Sequence, residues 1–242
     1  RDRWQAAAAQ RGAVLFYIPS SGHEAGAALA PHLNAADWLH LHYRDRALAL
    51  ARGVVPRTCF DGLFGNVESH SAGRRMPGFM SDPDLHILDS CTPTGNNALQ
   101  AVGVAAAVRD GEDQPVVLCG IGDGTTQQGE VMEAIGEAVR SSLPVLFLVH
   151  DNRYALSTPT RGRTFYSLPQ GDADSFYGLA IERIDGTDPV QAFHRLGELV
   201  DAMREDRLPR LVVMQVERLA SHTNADDETL YRTPEELKRV RE

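Results

Sequence analysis

The chain has little that would cross a membrane, bind nucleic acid or staple a small secreted fold. Although 43% of its residues are hydrophobic, no run reaches the roughly 18 apolar residues that a membrane-spanning helix needs. Acidic residues outnumber basic ones, 33 to 24, and the formal net charge is −9. That sign argues against a general nucleic-acid binder. It leaves room for a phosphorylated cofactor, because a metal ion and a few local cations can neutralise a diphosphate. Cysteine is scarce. Cys59, Cys91 and Cys119 are widely spaced and form neither a disulfide framework nor a zinc pattern. A reducing, cytoplasmic setting is the simplest reading. The opening residues, RDRWQAAAAQ, lack the apolar run and cleavage pattern of a secretion signal and read as a helix entered part-way along. No membrane and no nucleic acid is therefore expected as a partner.

What is present reads as one large α/β domain, since 242 residues suffice for a single sizeable core. Strands are expected at 116–121, 145–149, 180–184 and 211–216, each short, apolar and rich in Val, Ile or Leu. Helices are expected at 22–32, 95–109, 127–141 and 189–204, and residues 37–53 read as a turn and a helix. Strand and helix in alternation predict a doubly wound, mostly parallel sheet covered on both faces, a three-layer sandwich. The last residues, TPEELKRVRE, begin a helix with Thr233 as cap and Pro234 in the first turn. Both ends suggest a piece of a longer polypeptide. Polar stretches at 62–89, 158–178 and 218–233 read as long loops, and ligands of open α/β sheets bind beyond the carboxyl ends of the strands.

The most informative stretch runs from Val116 to Thr158. Asp123 ends one strand and Asn152 ends the next. A single helical crossover makes the two strands parallel, so both tips open on the same edge. Neighbouring strands lie about 4.8 Å apart. One hard cation such as magnesium could then take oxygens from Asp123 and Asn152. Other readings stay open on residue pattern alone. Gly120, Gly122 and Gly124 could form a dinucleotide-binding turn, with Asp151 near the position of a ribose acid. They could also be a structural turn. Asn152 could bond its own backbone. Arg44 reads as an exposed helix arginine paired with Asp45 or Asp37. Ser90 to Asn97 reads equally as a loop capping the helix that follows, and His222 as a solvated loop histidine.

The combination GDG, then DNRY and ALSTPT, then RLASHTNADDETLYRT, resembles a known family over about residue 10 to Thr233. The family is the alpha subunit of the thiamin diphosphate-dependent E1 component of 2-oxo acid dehydrogenase complexes. ALSTPT and SHTNADD look closer to its branched-chain type than to its pyruvate type. The resemblance implies a thiamin diphosphate-binding fold, here its diphosphate-binding domain, with magnesium held by Asp123, Asn152 and the carbonyl of Tyr154. It implies cofactor contacts from Tyr43 and Arg44, from Thr92 and Thr94, and from the Gly122–Gly124 turn. It places a monovalent cation near Cys91 to Asn97 in some relatives. His150 stands where branched-chain relatives carry an arginine on the diphosphate, and Asp151 replaces a common asparagine. His222 matches the active-site histidine that helps acyl transfer to a lipoyl group, and Thr223 the place of a regulatory phosphoserine. The glutamate that activates the pyrimidine ring belongs, in this family, to a beta subunit or to the second half of a fused chain. An α2β2 assembly and a lipoyl domain are the expected partners. The expected reaction is oxidative decarboxylation of a 2-oxo acid, branched-chain first, pyruvate or acetoin next. A catalytically silent relative acting as an assembly subunit and a nicotinamide-binding domain are the alternatives.

Overall fold

The structure is a computed structural model that describes residues 2–90 and 93–241. Its centre is a sheet in the order β2-β1-β3-β4-β11-β10-β9. The central strands are β3 (Val117–Gly122), β4 (Val145–Asp151), β10 (Leu179–Asp185) and β11 (Arg210–Gln215), all mutually parallel. β1 (Trp38–His40) and β2 (Ile87–Leu88) extend one side in parallel. β9 (Ser175–Phe176) closes the other side as an antiparallel edge.

Side chains alternate across the pleat, and here the alternation sorts the core into two layers. Leu118, Leu146, Leu148, Val212 and Met214 share one cluster with Leu29, Leu48, Leu196 and Val200. Those partners come from the 3-10 segment Glu24–His32, α2 (Arg46–Arg52) and α6 (Pro189–Asp206). Val117, Cys119, Ile121, Val145, Phe147 and Val149 face the opposite way, onto α4 (Asn96–Val108) and α5 (Gly129–Arg140). Burying each of these aliphatic side chains contributes about 1.5–3 kcal/mol, so neither face of the sheet can be left bare. The expected three-layer sandwich is the one observed.

The remaining α-helices are α1 (Asp2–Gln10), α3 (Pro56–Leu63) and α7 (Pro234–Arg241). Thr233 caps α7, its hydroxyl accepting from Glu236 N at 3.2 Å. Small hairpins pair β5 (Tyr154–Ala155) with β6 (Thr158–Pro159) and β7 (Ser167–Leu168) with β8 (Gly171–Asp172). Two departures from the sequence reading concern the sheet edge. Residues 38–40, read as part of a turn and helix, form β1, and the loop 62–89 contains β2. Runs of two or three residues carry no periodicity to read. Asp37, fully buried, anchors β1 instead: its carboxylate accepts from Val116 N at 2.8 Å and pairs with Arg204 at 2.6 Å.

The tip of β1 presses on β3. A Cβ placed on Gly120 would lie 2.4 Å from Asp45 Oδ2 and 2.8 Å from His42 N, whereas one on Gly129 would meet nothing within 4 Å. Gly120→Ala is expected to destabilise the fold by roughly 1–3 kcal/mol through overpacking. Gly129→Ala should change stability by less than about 1 kcal/mol. Equilibrium denaturation of the two variants measures the contrast.

Candidate active site at the strand tips

β3 and β4 pair from Val117↔Val145 to Gly122↔His150. The pairing continues one step further, with Asp123 N donating to His150 O at 3.2 Å. Asp123 and Asn152 therefore leave the sheet at the same edge, from neighbouring strands. Both are buried. Asp123 caps the 3-10 turn Gly124–Gln127, its Oδ1 accepting from Gly124 N at 2.9 Å. Its Oδ2 accepts from Thr160 Oγ1 at 2.9 Å. The β5–β6 hairpin brings Thr160 back over the turn. Asn152 Oδ1 accepts from Tyr154 N at 3.2 Å, and its Nδ2 lies 3.1 Å from His23 Nε2.

Burial, and then the neighbouring Asp151, push the Asp123 carboxyl up to about 6. Burial also raises Asp151. A buried carboxyl beside a second, half-buried one is relieved by a cation. The side-chain donors at the two tips are a carboxylate and an amide oxygen, hard oxygen groups that fit magnesium better than zinc. Among the described residues no group of three or more His, Cys, Asp and Glu side chains is placed to hold a metal. The set described here, with one carboxylate, is of a different kind.

A buried basic cluster adjoins the glycine turn. Arg44 is only 1% exposed and lies in the turn after β1. It is not the solvated helix arginine that spacing alone suggests. Asp45 and Asp37, its expected partners, face His150 and Arg204. Arg44 donates to Pro19 O and, at 3.0 Å, to His222 O, lies 3.1 Å from His222 Nδ1, and sits 5.2 Å from the Tyr43 ring centroid. Its Nε is buried without a partner, and burial lowers its pKa. A buried guanidinium with donors to spare is suited to phosphate oxygens. His42 stacks near His150, ring centroids 5.5 Å apart. His150 turns Nε2 toward Asp45 Oδ1 at 2.8 Å, with both side chains fully buried. Burial first, then neighbouring positive groups, push His42 and His23 well below the usual imidazole range.

The loop bearing His222 is tied to Tyr154. Asp226 Oδ2 accepts from His222 N at 2.7 Å and from the Tyr231 hydroxyl at 2.5 Å. Arg218 lies 5.5 Å from the ring centroids of both Tyr154 and Tyr231. Tyr154 OH donates to Glu236 at 2.9 Å. Thr223 is half-buried beside His222, its Oγ1 accepting from Ala225 N at 3.2 Å. Thr94 lines a cavity of about 20 Å³, room for a single water, with His42, Tyr43, Gly120 and Thr125. Thr92 and Cys91 lie outside the described residues. Loops 158–178 and 218–233 supply Thr160 and His222. Loop 62–89 packs on α2, with Gly78 close against Arg46.

Sequence reasoning missed His23, Asp45 and Thr160. Thr160 ends the ALSTPT stretch, and GHEA carries His23. Neither spacing nor periodicity marks them, because each meets its partner through the fold.

The family profile described as dehydrogenase E1 component matches residues 1–242. This chain belongs to the dehydrogenase E1 component family. Among its E1 relatives is the 3-methyl-2-oxobutanoate dehydrogenase subunit alpha of Mycobacterium tuberculosis, 31% identical over 236 residues, covering 95% of this chain and 60% of that one. The 2-oxoisovalerate dehydrogenase subunit alpha of Bacillus subtilis is 28% identical over 234 residues, 95% of this chain and 70% of that one. The mitochondrial 2-oxoisovalerate dehydrogenase subunit alpha of Homo sapiens is 26% identical over 235 residues, 94% and 51% respectively. The chain thus spans about 60% of the length of the first of these curated relatives. A weaker structural likeness, with TM-score 0.47 and 17% identity over 80% of this chain and 31% of the other, is to a proposed thiamin diphosphate-dependent enzyme from Mycobacterium smegmatis.

Burial, then Arg44 and Arg218, push the His222 imidazole down from 6.5 to about 4. In the E1 chain it is neutral at pH 7 and throughout mildly acid conditions. The unfolded chain takes up this proton near 6.5 and the folded chain only near 4. His222 therefore lowers stability as pH falls through that window. A proton NMR titration of the His222 ring should give a midpoint well below 6.5, and His222→Gln should lessen the loss of stability between pH 6.5 and 4.

Proposed function

We propose that this chain is the diphosphate- and metal-holding half of a thiamin diphosphate-dependent 2-oxo acid dehydrogenase E1 component. Its reaction is oxidative decarboxylation of a 2-oxo acid, with a branched-chain substrate favoured and pyruvate next. The observation that carries this reading is the pair of neighbouring strand tips. They set Asp123 and Asn152 at one sheet edge, and the Asp123 carboxyl is pushed up to about 6 by burial and by Asp151. Membership of the E1 family over the whole chain and relatives named for branched-chain 2-oxo acids support the substrate class.

In this reading Asp123, Asn152 and the Tyr154 carbonyl hold magnesium. Arg44 and Tyr43 bind the diphosphate, Arg44 replacing lost hydration with fixed donors. Thr160 holds Oδ2 of Asp123 and so limits how the carboxylate can turn. Thiamin diphosphate, when bound, supplies the electron sink that decarboxylation of a 2-oxo acid requires. His222, kept neutral by its surroundings, can accept a hydrogen bond or a proton at the reacting end of the site. Its approach is set by Arg44 on one side and Asp226 on the other.

The glutamate needed to activate the pyrimidine ring comes from a partner, either a beta-type subunit or a fused second half. The relatives' names, which specify a subunit alpha, support a companion chain. The assembly we propose is an α2β2 tetramer or its fused equivalent, acylating a lipoyl domain.

Two measurements test this. The chain alone, given thiamin diphosphate and magnesium, should not decarboxylate 2-oxo acids; appreciable turnover refutes the division of labour. In the complete assembly, Asp123→Asn should weaken magnesium-dependent cofactor binding by at least about tenfold and depress turnover of 3-methyl-2-oxobutanoate, because the anionic charge of the one carboxylate in the donor set is lost even though an amide oxygen remains. Unchanged cofactor affinity in that variant would remove the metal from the strand tips.

A further inference from the structure

His23 is almost wholly buried, 1% exposed, at the start of the 3-10 segment Glu24–His32. It reaches the site through a tight contact between chain segments. Gly22 has a φ of +91°, and a Cβ there would lie 1.6 Å from the Glu217 carbonyl oxygen. Only glycine allows this approach. Glu217 follows β11, and Val216 N donates to Asp151 O at 3.0 Å. The tail of β11 thus locks the His23 segment to the tail of β4. At the end of that chain of contacts, His23 Nε2 stands 3.1 Å from Asn152 Nδ2.

An amide nitrogen can only donate. His23 Nε2 must therefore offer its lone pair, with the ring hydrogen on Nδ1. On the other side of the amide, Tyr154 N–H can only donate, and it points at Asn152 Oδ1 from 3.2 Å. Tyr154 N–H sets the orientation, oxygen toward Tyr154 and nitrogen toward His23, and His23 in its Nδ1–H tautomer reinforces it by accepting from Nδ2. The bond from Tyr154 is at the long end of the useful range and is a weak restraint by itself. A carbonyl oxygen has a second lone pair, which stays available to a cation. If the amide turned over, N–H groups would face both Tyr154 N–H and the cation.

We propose that His23 is a positioning residue for the metal site: its Nε2 lone pair holds the Asn152 amide with the oxygen turned to the cation. The inference rests on the assignment of Asn152 as a metal ligand. His23 itself does not coordinate, since Nε2 is engaged by Asn152. Partners of this type, which orient a ligand without touching the metal, commonly change affinity by about 10–100-fold when removed.

The test uses the full-length protein in its complete assembly, with Mn²⁺ as the probe. Free Mn²⁺ is titrated by electron paramagnetic resonance in the presence of thiamin diphosphate, which reads metal affinity and not activity. His23→Leu removes the acceptor. His23→Gln keeps an acceptor oxygen near the position of Nε2. Expected results are an Mn²⁺ affinity about 10–100-fold weaker in H23L and within about threefold of the parent in H23Q. The double variant H23L/N152A should bind no more weakly than N152A alone, because a residue that acts only through Asn152 has nothing left to orient. If leucine at this position prevents folding, His23→Met is read in the same way. Three results overturn the inference: unchanged affinity in H23L while N152A binds weakly, equal losses in H23L and H23Q, or additive losses in the double variant. Unchanged affinity in N152A is a different failure, since it removes Asn152 from the metal site and with it the functional reading on which this inference stands.

Discussion

The parallel pairing of β3 with β4 is the constraint from which the site follows. Register runs unbroken from Val117↔Val145 to Gly122↔His150, and a slip of one residue would turn every side chain to the other face. Such a slip would move Phe147 and Val149 out of one core layer and Leu146 and Leu148 out of the other. The two apolar layers therefore hold the register, and the register sets the height at which Asp123 and Asn152 leave the sheet. Precision at the polar edge comes from packing in the apolar interior.

That edge carries groups which a stable fold alone would not choose. Asp123 is buried beside the half-buried Asp151, and both have raised pKa values. Arg44 is buried with its Nε unpartnered. His23, His42 and His150 crowd the same space. Each is unfavourable in isolation, because buried polar groups without partners lose their hydration. Taken together they leave acidic groups on one side of the edge and a buried guanidinium on the other, the arrangement on which the proposed magnesium and diphosphate site rests. His222 joins this pattern at a distance, tied to Arg44 by its ring and carbonyl and to the β5 hairpin through Asp226, Tyr231 and Arg218.

Legibility in the sequence followed the length of each signal. β3, β4, β10 and β11 are strands of six or seven residues, each with a cluster of Val, Ile or Leu, and α4, α5 and α6 are long enough to show their pattern, so all were readable. β1 and β2, of three and two residues, were not. Their existence depends on Asp37 bonding Val116 and on the neighbouring strand already being in place. Among site residues, Asp123 and Asn152 stand at the ends of readable strands and could be placed at one edge in advance. Arg44 could be named by its motif, but its burial could not. Spacing suggested pairing with Asp45 or Asp37, and each of those is taken by a residue far along the chain.

The sequence by itself determined the alternation of buried strands and helices, and hence a parallel sheet with its polar loops gathered beyond one edge. Period and polarity are local properties of a chain and can be read without its fold. Only the tertiary structure decided which side chains meet there: His23 with Asn152, Thr160 with Asp123, Asp45 with His150, Arg44 with His222. Most of these contacts join residues more than a hundred positions apart, and they exist because the packed layers carry the loops to one place. Distance along a chain holds no record of such meetings.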